Sequence, residues 1–231
     1  MKFLFISLIF LSSCQSLDEI VSVAQNYLTP SQGEIGLGLQ EALSKGINIG
    51  AERVSKTDGF FKNELIKILI PKEAQAVTNT LSQIGMKPLV DKAILSMNRA
   101  AEDAAKKSIP IFTSAITSLS FSDALGILKS SNPAAATEYL KSKTASALIA
   151  SFKPSIASSL EKVNATRYWA DVMNTYNQIP LVKKVNPDLT DHVTTSAISG
   201  LFSQIAKEEE NIRKNPVART TELLKRVFNL Q

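Results

Sequence analysis

Nowhere in this 231-residue chain do apolar and polar residues alternate over a stretch long enough to lay down a sheet. Apolar residues instead return every three or four positions, and sparse glycines and prolines punctuate the runs. A chain patterned this way buries its apolar stripes by packing helix on helix. The expected fold class is therefore all-α: a single compact multi-helix domain of about ten helices, with no significant sheet and no repeat at solenoid periods.

The punctuation places the elements. Leu39, Leu43, Ile47 and Val54 mark one face of a helix ending near Lys56-Thr57-Asp58-Gly59. Phe60 to Ile70 is a shorter apolar piece; Pro71 is placed to open a helix that Gly85 closes, and Pro88 starts another whose stripe is Val90, Ile94, Met97, Ala101 and Ala104. Pro110 interrupts the next segment, Ser120-Phe121-Ser122-Asp123 is a capped start, and Asn132-Pro133 sets an N-cap residue before a proline at the first helical position. That helix runs towards Phe152, and Pro154 begins its successor. Asn164 caps a segment carrying Tyr168, Trp169, Met173 and Tyr176; Ile198, Leu201, Phe202 and Ile205 line a long helix; a last one spans about Thr220 to Leu230.

The N-terminus is of another kind. One positive charge at Lys2 precedes the apolar run Phe3 to Leu11, the layout of a secretory signal and too short for a permanent span, which needs about 20 apolar residues. The run ends in Leu11-Ser12-Ser13-Cys14, which resembles the bacterial lipobox, with small residues before a thiol that accepts diacylglycerol. Cys14 is the only cysteine, so no internal disulfide forms and a lipid acceptor is its natural role. Residues 1–13 are thus expected to be a lipoprotein signal peptide, residues 14–33 a lipidated N-terminus with a short tether helix, and residues 34–231 the helical domain. Ser16-Leu17-Asp18-Glu19 reads as a capping box for the tether, which Thr29-Pro30 ends before a Ser31-Gln32-Gly33 linker. Gln15, not an aspartate, follows the cysteine, and by its resemblance to enterobacterial sorting rules this points to the outer membrane, facing the periplasm. The expected partners are the membrane, through palmitate or other acyl chains on Cys14, and an envelope protein or anionic lipid. The net charge of +5 suits such polyanions, and an exported chain does not normally meet nucleic acid.

Several stretches together are family-like: Gly38-Leu39-Gln40-Glu41-Ala42-Leu43, Lys56-Thr57-Asp58-Gly59-Phe60, Leu95-Ser96-Met97-Asn98-Arg99-Ala100-Ala101-Glu102, Phe121-Ser122-Asp123-Ala124-Leu125-Gly126-Ile127-Leu128, Pro180-Leu181-Val182-Lys183-Lys184 and Arg219-Thr220-Thr221-Glu222-Leu223-Leu224-Lys225. The set resembles the bacterial lipoprotein family catalogued as domain of unknown function family 4197. The resemblance implies an exported, helical, single-domain protein and supplies no catalytic residues.

Chemistry-bearing residues are few. His192 is the single histidine, so no metal site and no cofactor is expected. On the helix from Pro88, Asp91, Asn98 and Glu102 share one face, with Arg99 a turn from Glu102. The bland account is a solvated, salt-bridged face; turned inward, Asn98, Arg99 and Glu102 would make a buried polar network, either a structural staple or a site. Ser159-Leu160-Glu161-Lys162 matches a bare Ser-x-x-Lys pattern without its companion elements. Tyr168, Trp169, Met173 and Tyr176 have the spacing of a core stripe or of an apolar pocket wall. Lys183, Lys184, Arg219 and Arg226 would form an anion or headgroup patch if the fold gathers them. The leading functional reading is a non-enzymatic binding or interaction module held at a membrane surface. Its rivals are a carrier of a lipid or small apolar ligand between helices and an enzyme whose site the sequence does not reveal.

Overall fold

The computed structural model describes residues 30–162, 164–178, 180, 181, 184, 186 and 188–229. The signal segment, Cys14 and the tether helix expected after it lie outside those residues. Within them the chain is mostly helical, with no strand, and no single helix is long and apolar enough to cross a membrane.

Helix α1 (Gln32–Ser55) opens on a capping box: the Ser31 hydroxyl accepts from the Glu34 N–H, and the Glu34 carboxylate accepts from the Ser31 N–H. The expected Ser31-Gln32-Gly33 linker is therefore the cap and first turn of the domain's own helix. The buried stripe Ile35, Leu39, Leu43, Ile47 and Val54 turns inward, while Gly46 and Gly50 admit a close neighbour. That neighbour is the long helix α8 (Leu189–Lys214), which runs antiparallel to α1: Glu208 faces Gly46, Ile205 faces Gly50, and Gly200 meets the Phe60 ring just past the end of α1.

Between them lie α2 (Gln75–Leu81), α3 (Lys87–Ala105), α4 (Ser108–Thr117), α5 (Phe121–Lys129), α6 (Ala135–Glu161) and α7 (Ala165–Asn177); α9 (Glu222–Phe228) closes the chain. Helix α6 packs antiparallel to α8, since Thr137 meets Glu209 at one end and Lys153 meets Asp188 and Asp191 at the other. Phe112 of α4 packs edge-on against Phe202 of α8, with centroids 5.7 Å apart. The cap expected at Ser120 forms, and Asp188 caps α8 by accepting from the Asp191 N–H. Pro110 sits inside the first turn of α4, where its missing N–H costs no bond.

Two junctions differ from the expectation and reduce the helix count. A five-residue π turn, Ser82–Met86, joins α2 to α3 with no loop between, so Gly85, at φ +84°, is absorbed within the rod and does not end it. Pro154, expected to start a new helix, lies inside the 27-residue α6. It denies the Ala150 carbonyl its helical N–H, but both residues face solvent, where water can serve that carbonyl. Leu148, Phe152, Ile156 and Leu160, all fully buried, hold the turns on either side of it to the core. The described residues thus make eight helical rods.

A proline inside a continuous helix is a cost, whereas a proline at a first helical position is not. Pro154→Ala is expected to raise stability by about 1 kcal/mol or more in urea denaturation. A neutral or destabilising result would indicate two helices meeting at that residue.

Candidate functional site

The one long non-helical stretch among the described residues, 56–71, joins α1 to the short 3-10 turn Lys72–Ala74. It begins with a sharp reversal: Asp58 is left-handed at φ +70°, and a Cβ on Gly59 would stand 2.4 Å from the Arg53 carbonyl oxygen, so only glycine fits there. The reversal drives the Phe60 ring into the core, where it is fully buried. From Ile68 to Ile70 the backbone has no regular secondary structure, so helix hydrogen bonds do not satisfy it.

Side chains of α3 do so instead. Glu102 Oε1 accepts from the Phe60 N–H at 3.1 Å and the Phe61 N–H at 3.2 Å, and its Oε2 accepts from Arg99 at 2.6 Å. Asn98 Oδ1 accepts from the Ile68 N–H, while its amide donates to the Ile68 and Ile94 carbonyls at 2.8 and 2.7 Å. Arg99 extends the chain of contacts to Asp58, which also meets Lys62. The hydrogen bonds from Lys62 and Arg99 hold the Asp58 carboxyl below its usual range, and those to Glu102 and Asp58 raise the Arg99 guanidinium.

The expectation of a solvated face is thus overturned: Asn98 is 0% and Glu102 4% exposed. The inward alternative holds because the 56–71 stretch covers this stripe of α3 with peptide groups that need partners. Asp91 stays apart, exposed and paired with Lys87. Beside the network lies an open groove of about 690 Å³ lined by Arg53, Lys56, Asp58, Lys62 and Glu64, but its cations face carboxylates. Arg99 and Glu102 are committed to each other and to the backbone, an arrangement that holds a loop in shape.

A second buried carboxylate does similar work. Glu209 of α8 accepts from the Ala136 and Thr137 N–H groups, capping α6, and pairs with Arg213, which also donates to the Ile127 carbonyl at the end of α5. The i+4 pairs Glu209–Arg213 and Glu210–Lys214 were legible in the sequence; the reach to α6 was not. Its signal is an absence, since Ala134, at the N-cap of α6, offers no side-chain cap.

Of the basic patch, the three described residues Lys184, Arg219 and Arg226 do not gather. Arg219 donates to the Ile212 and Arg213 carbonyls, closing the C-terminus of α8, and Arg226 pairs with Glu34 at 2.7 Å. Lys184 is exposed before the start of α8, so a helix about 39 Å long separates it from Arg219. Lys183 lies outside the described residues.

The remaining candidates stay scattered. His192 meets the Leu69 carbonyl through Nε2 at 3.0 Å. Ser159 is half-buried and Lys162 is exposed at the C-cap of α6. Trp169 is partly buried and its indole N–H has no partner, while the side chains of Tyr168, Met173 and Tyr176 lie outside the description. Among the described residues no three His, Cys, Asp or Glu side chains converge as metal ligands. An internal space walled by Leu39, Ala42, Ile205, Ile212 and Phe228 measures about 20 Å³, room for a single water.

Compared with known families, residues 29–229 match the one described as "Protein of unknown function (DUF4197)". No curated protein and no solved structure matches the chain.

Removing the Glu102 carboxylate strands two backbone donors and leaves Arg99 with Asp58 alone. Glu102→Ala should therefore cost about 3 kcal/mol in urea denaturation, against less than about 0.5 for Asp91→Ala on the same helix. Because the Asp58 pKa is lowered by folding, its contribution is present above its ordinary value of 3.8 and is lost as pH falls through the folded value. Asp58→Asn keeps a residue tolerant of left-handed backbone, so its stability deficit should be full near neutral pH and should shrink below about pH 4. A deficit constant with pH would mean that the ion pairs of Asp58 contribute nothing.

Proposed function

The chain belongs to the DUF4197 family, and from that premise we propose that it is a bacterial envelope lipoprotein whose helical domain is a non-enzymatic binding module held at a membrane surface. The observation that carries the proposal is the Leu11-Ser12-Ser13-Cys14 ending of the apolar leader, with the chain's only thiol at the position a lipid acceptor needs. Acyl chains there would contribute about 0.8 kcal/mol per buried methylene, so several together hold a protein firmly. Gln15 favours the outer membrane, with the domain in the periplasm.

The organisation of the domain supports a binding role over the rival readings. Glu102 and Glu209, two of its buried carboxylates, bond to backbone donors and arginines, which serves the fold. The space between α1, α6, α8 and α9 holds about one water, and the larger described recesses, of about 440 and 690 Å³, are shallow and open to solvent where a carrier would enclose its ligand.

Cys14→Ser tests the anchor. The wild-type chain should fractionate with membranes and carry acyl mass on its N-terminal peptide, whereas the variant should lose the acyl mass and stay uncleaved or leave the membrane fraction. Acylated, membrane-bound variant would overturn the proposal.

A further inference from the structure

Two cations beside the C-terminal end of α8 are held by neutral acceptors. Lys45 of α1 donates to the Ala218 carbonyl at 2.6 Å and the Thr220 hydroxyl at 2.9 Å. Arg219 donates to the Ile212 and Arg213 carbonyls and to the Asn229 amide oxygen, with its guanidinium over the Phe228 ring. Arg53, Arg99, Arg213 and Arg226 each face a carboxylate. The carbonyl end of α8 offsets about half a unit of the Arg219 charge, and among the described residues no carboxylate stands within ion-pair distance of Lys45. Between these two cations the 3-10 turn Pro216–Ala218 pushes Val217 outward, 84% exposed. An apolar tip flanked by uncompensated positive charge suits the boundary between anionic headgroups and acyl chains.

Position and charge together select this face: Leu37, 60% exposed and nearer the start of α1, sits between Glu34 and Glu41 at i−3 and i+4, acidic neighbours that an anionic surface repels. Lys45 lies fourteen residues along α1 from Ser31, or about 21 Å. The sixteen residues from Cys14 to Pro30 would span about 24 Å as a helix and about 53 Å fully extended, so the Val217 turn is within range in either form. Leu65, 75% exposed, lies past the far end of α1, more than about 36 Å of helix from Ser31. A helical tether would not reach that far.

We propose that the face formed by Lys45, Val217 and Arg219 rests on the anionic bilayer that holds Cys14, an inference that builds on the anchor reading above. Val217 enters the headgroup boundary while the two cations meet lipid phosphates. No internal ion pair has to break, because the Lys45 ammonium keeps one N–H free and Arg219 uses three of its five donors. Each such cation adds about a five-fold preference for an anionic surface.

The test uses the full acylated chain with excess phosphatidylcholine vesicles, with and without phosphatidylglycerol, containing a quencher buried among the acyl chains. A polarity-sensitive fluorophore is attached in separate variants at Val217→Cys and Leu65→Cys, and the wild-type chain is carried through labelling as the blank. Quenching at position 217 should exceed that at position 65 several-fold, should depend on phosphatidylglycerol, and should fall when Lys45→Gln is added. Equal quenching, stronger quenching at 65, or quenching at 217 indifferent to phosphatidylglycerol each overturns the proposal; the second would assign the membrane face to the 56–71 stretch. A chain found by mass spectrometry to lack acyl groups defeats the anchor reading alone, and the ratio of the two labels in excess vesicles still decides the face.

Discussion

A carboxylate taken out of water must find charged or hydrogen-bonding partners, and Glu102 finds them in a stretch of chain that has no helix of its own. Its oxygens take the Phe60 and Phe61 N–H groups and the Arg99 guanidinium, while Asn98 satisfies both sides of the Ile68 peptide. Without those acceptors, 56–71 would bury unpaired peptide groups, and Phe60 would have no fixed path to its place against Gly200. The contact between the α1 end and α8 depends on that ring. A polar cluster on α3 therefore sets how α1 and α8 meet.

The same device recurs at the opposite end, where Glu209 caps α6 from α8 and Arg213 takes the last carbonyls of α5. Both clusters join elements distant in sequence, and both use up charges that might otherwise have served a ligand. At the surface, Lys45 and Arg219 bond to neutral acceptors beside the exposed Val217, and Leu65 and Leu69 are exposed on the 56–71 stretch.

Local physics was readable from the residues. The cap at Ser120, the stripe of α1, the i+4 pairs of α8 and the all-helical class each depend on neighbours within a turn or two, and sequence spacing carries that information. Ser31 misled because a serine before a glycine-containing turn reads as linker until Glu34 is seen to answer it. Pro154 and Gly85 misled because tertiary packing outweighed their local preference: four buried residues span the proline, and a π turn absorbs the glycine.

By itself the sequence determined the helical class, the core stripes and the lipobox-like leader, since periodicity and a short motif are written in adjacent residues. Only the tertiary structure decided that the stripe of Asn98 and Glu102 faces inward, because that depends on a stretch thirty or more residues away lying across α3. It likewise separated Lys184 from Arg219, setting them beyond opposite ends of α8, and brought Lys45 to Arg219 and Val217 in their place. Charge is legible residue by residue, but which charges meet is set by the antiparallel packing of α1 and α8.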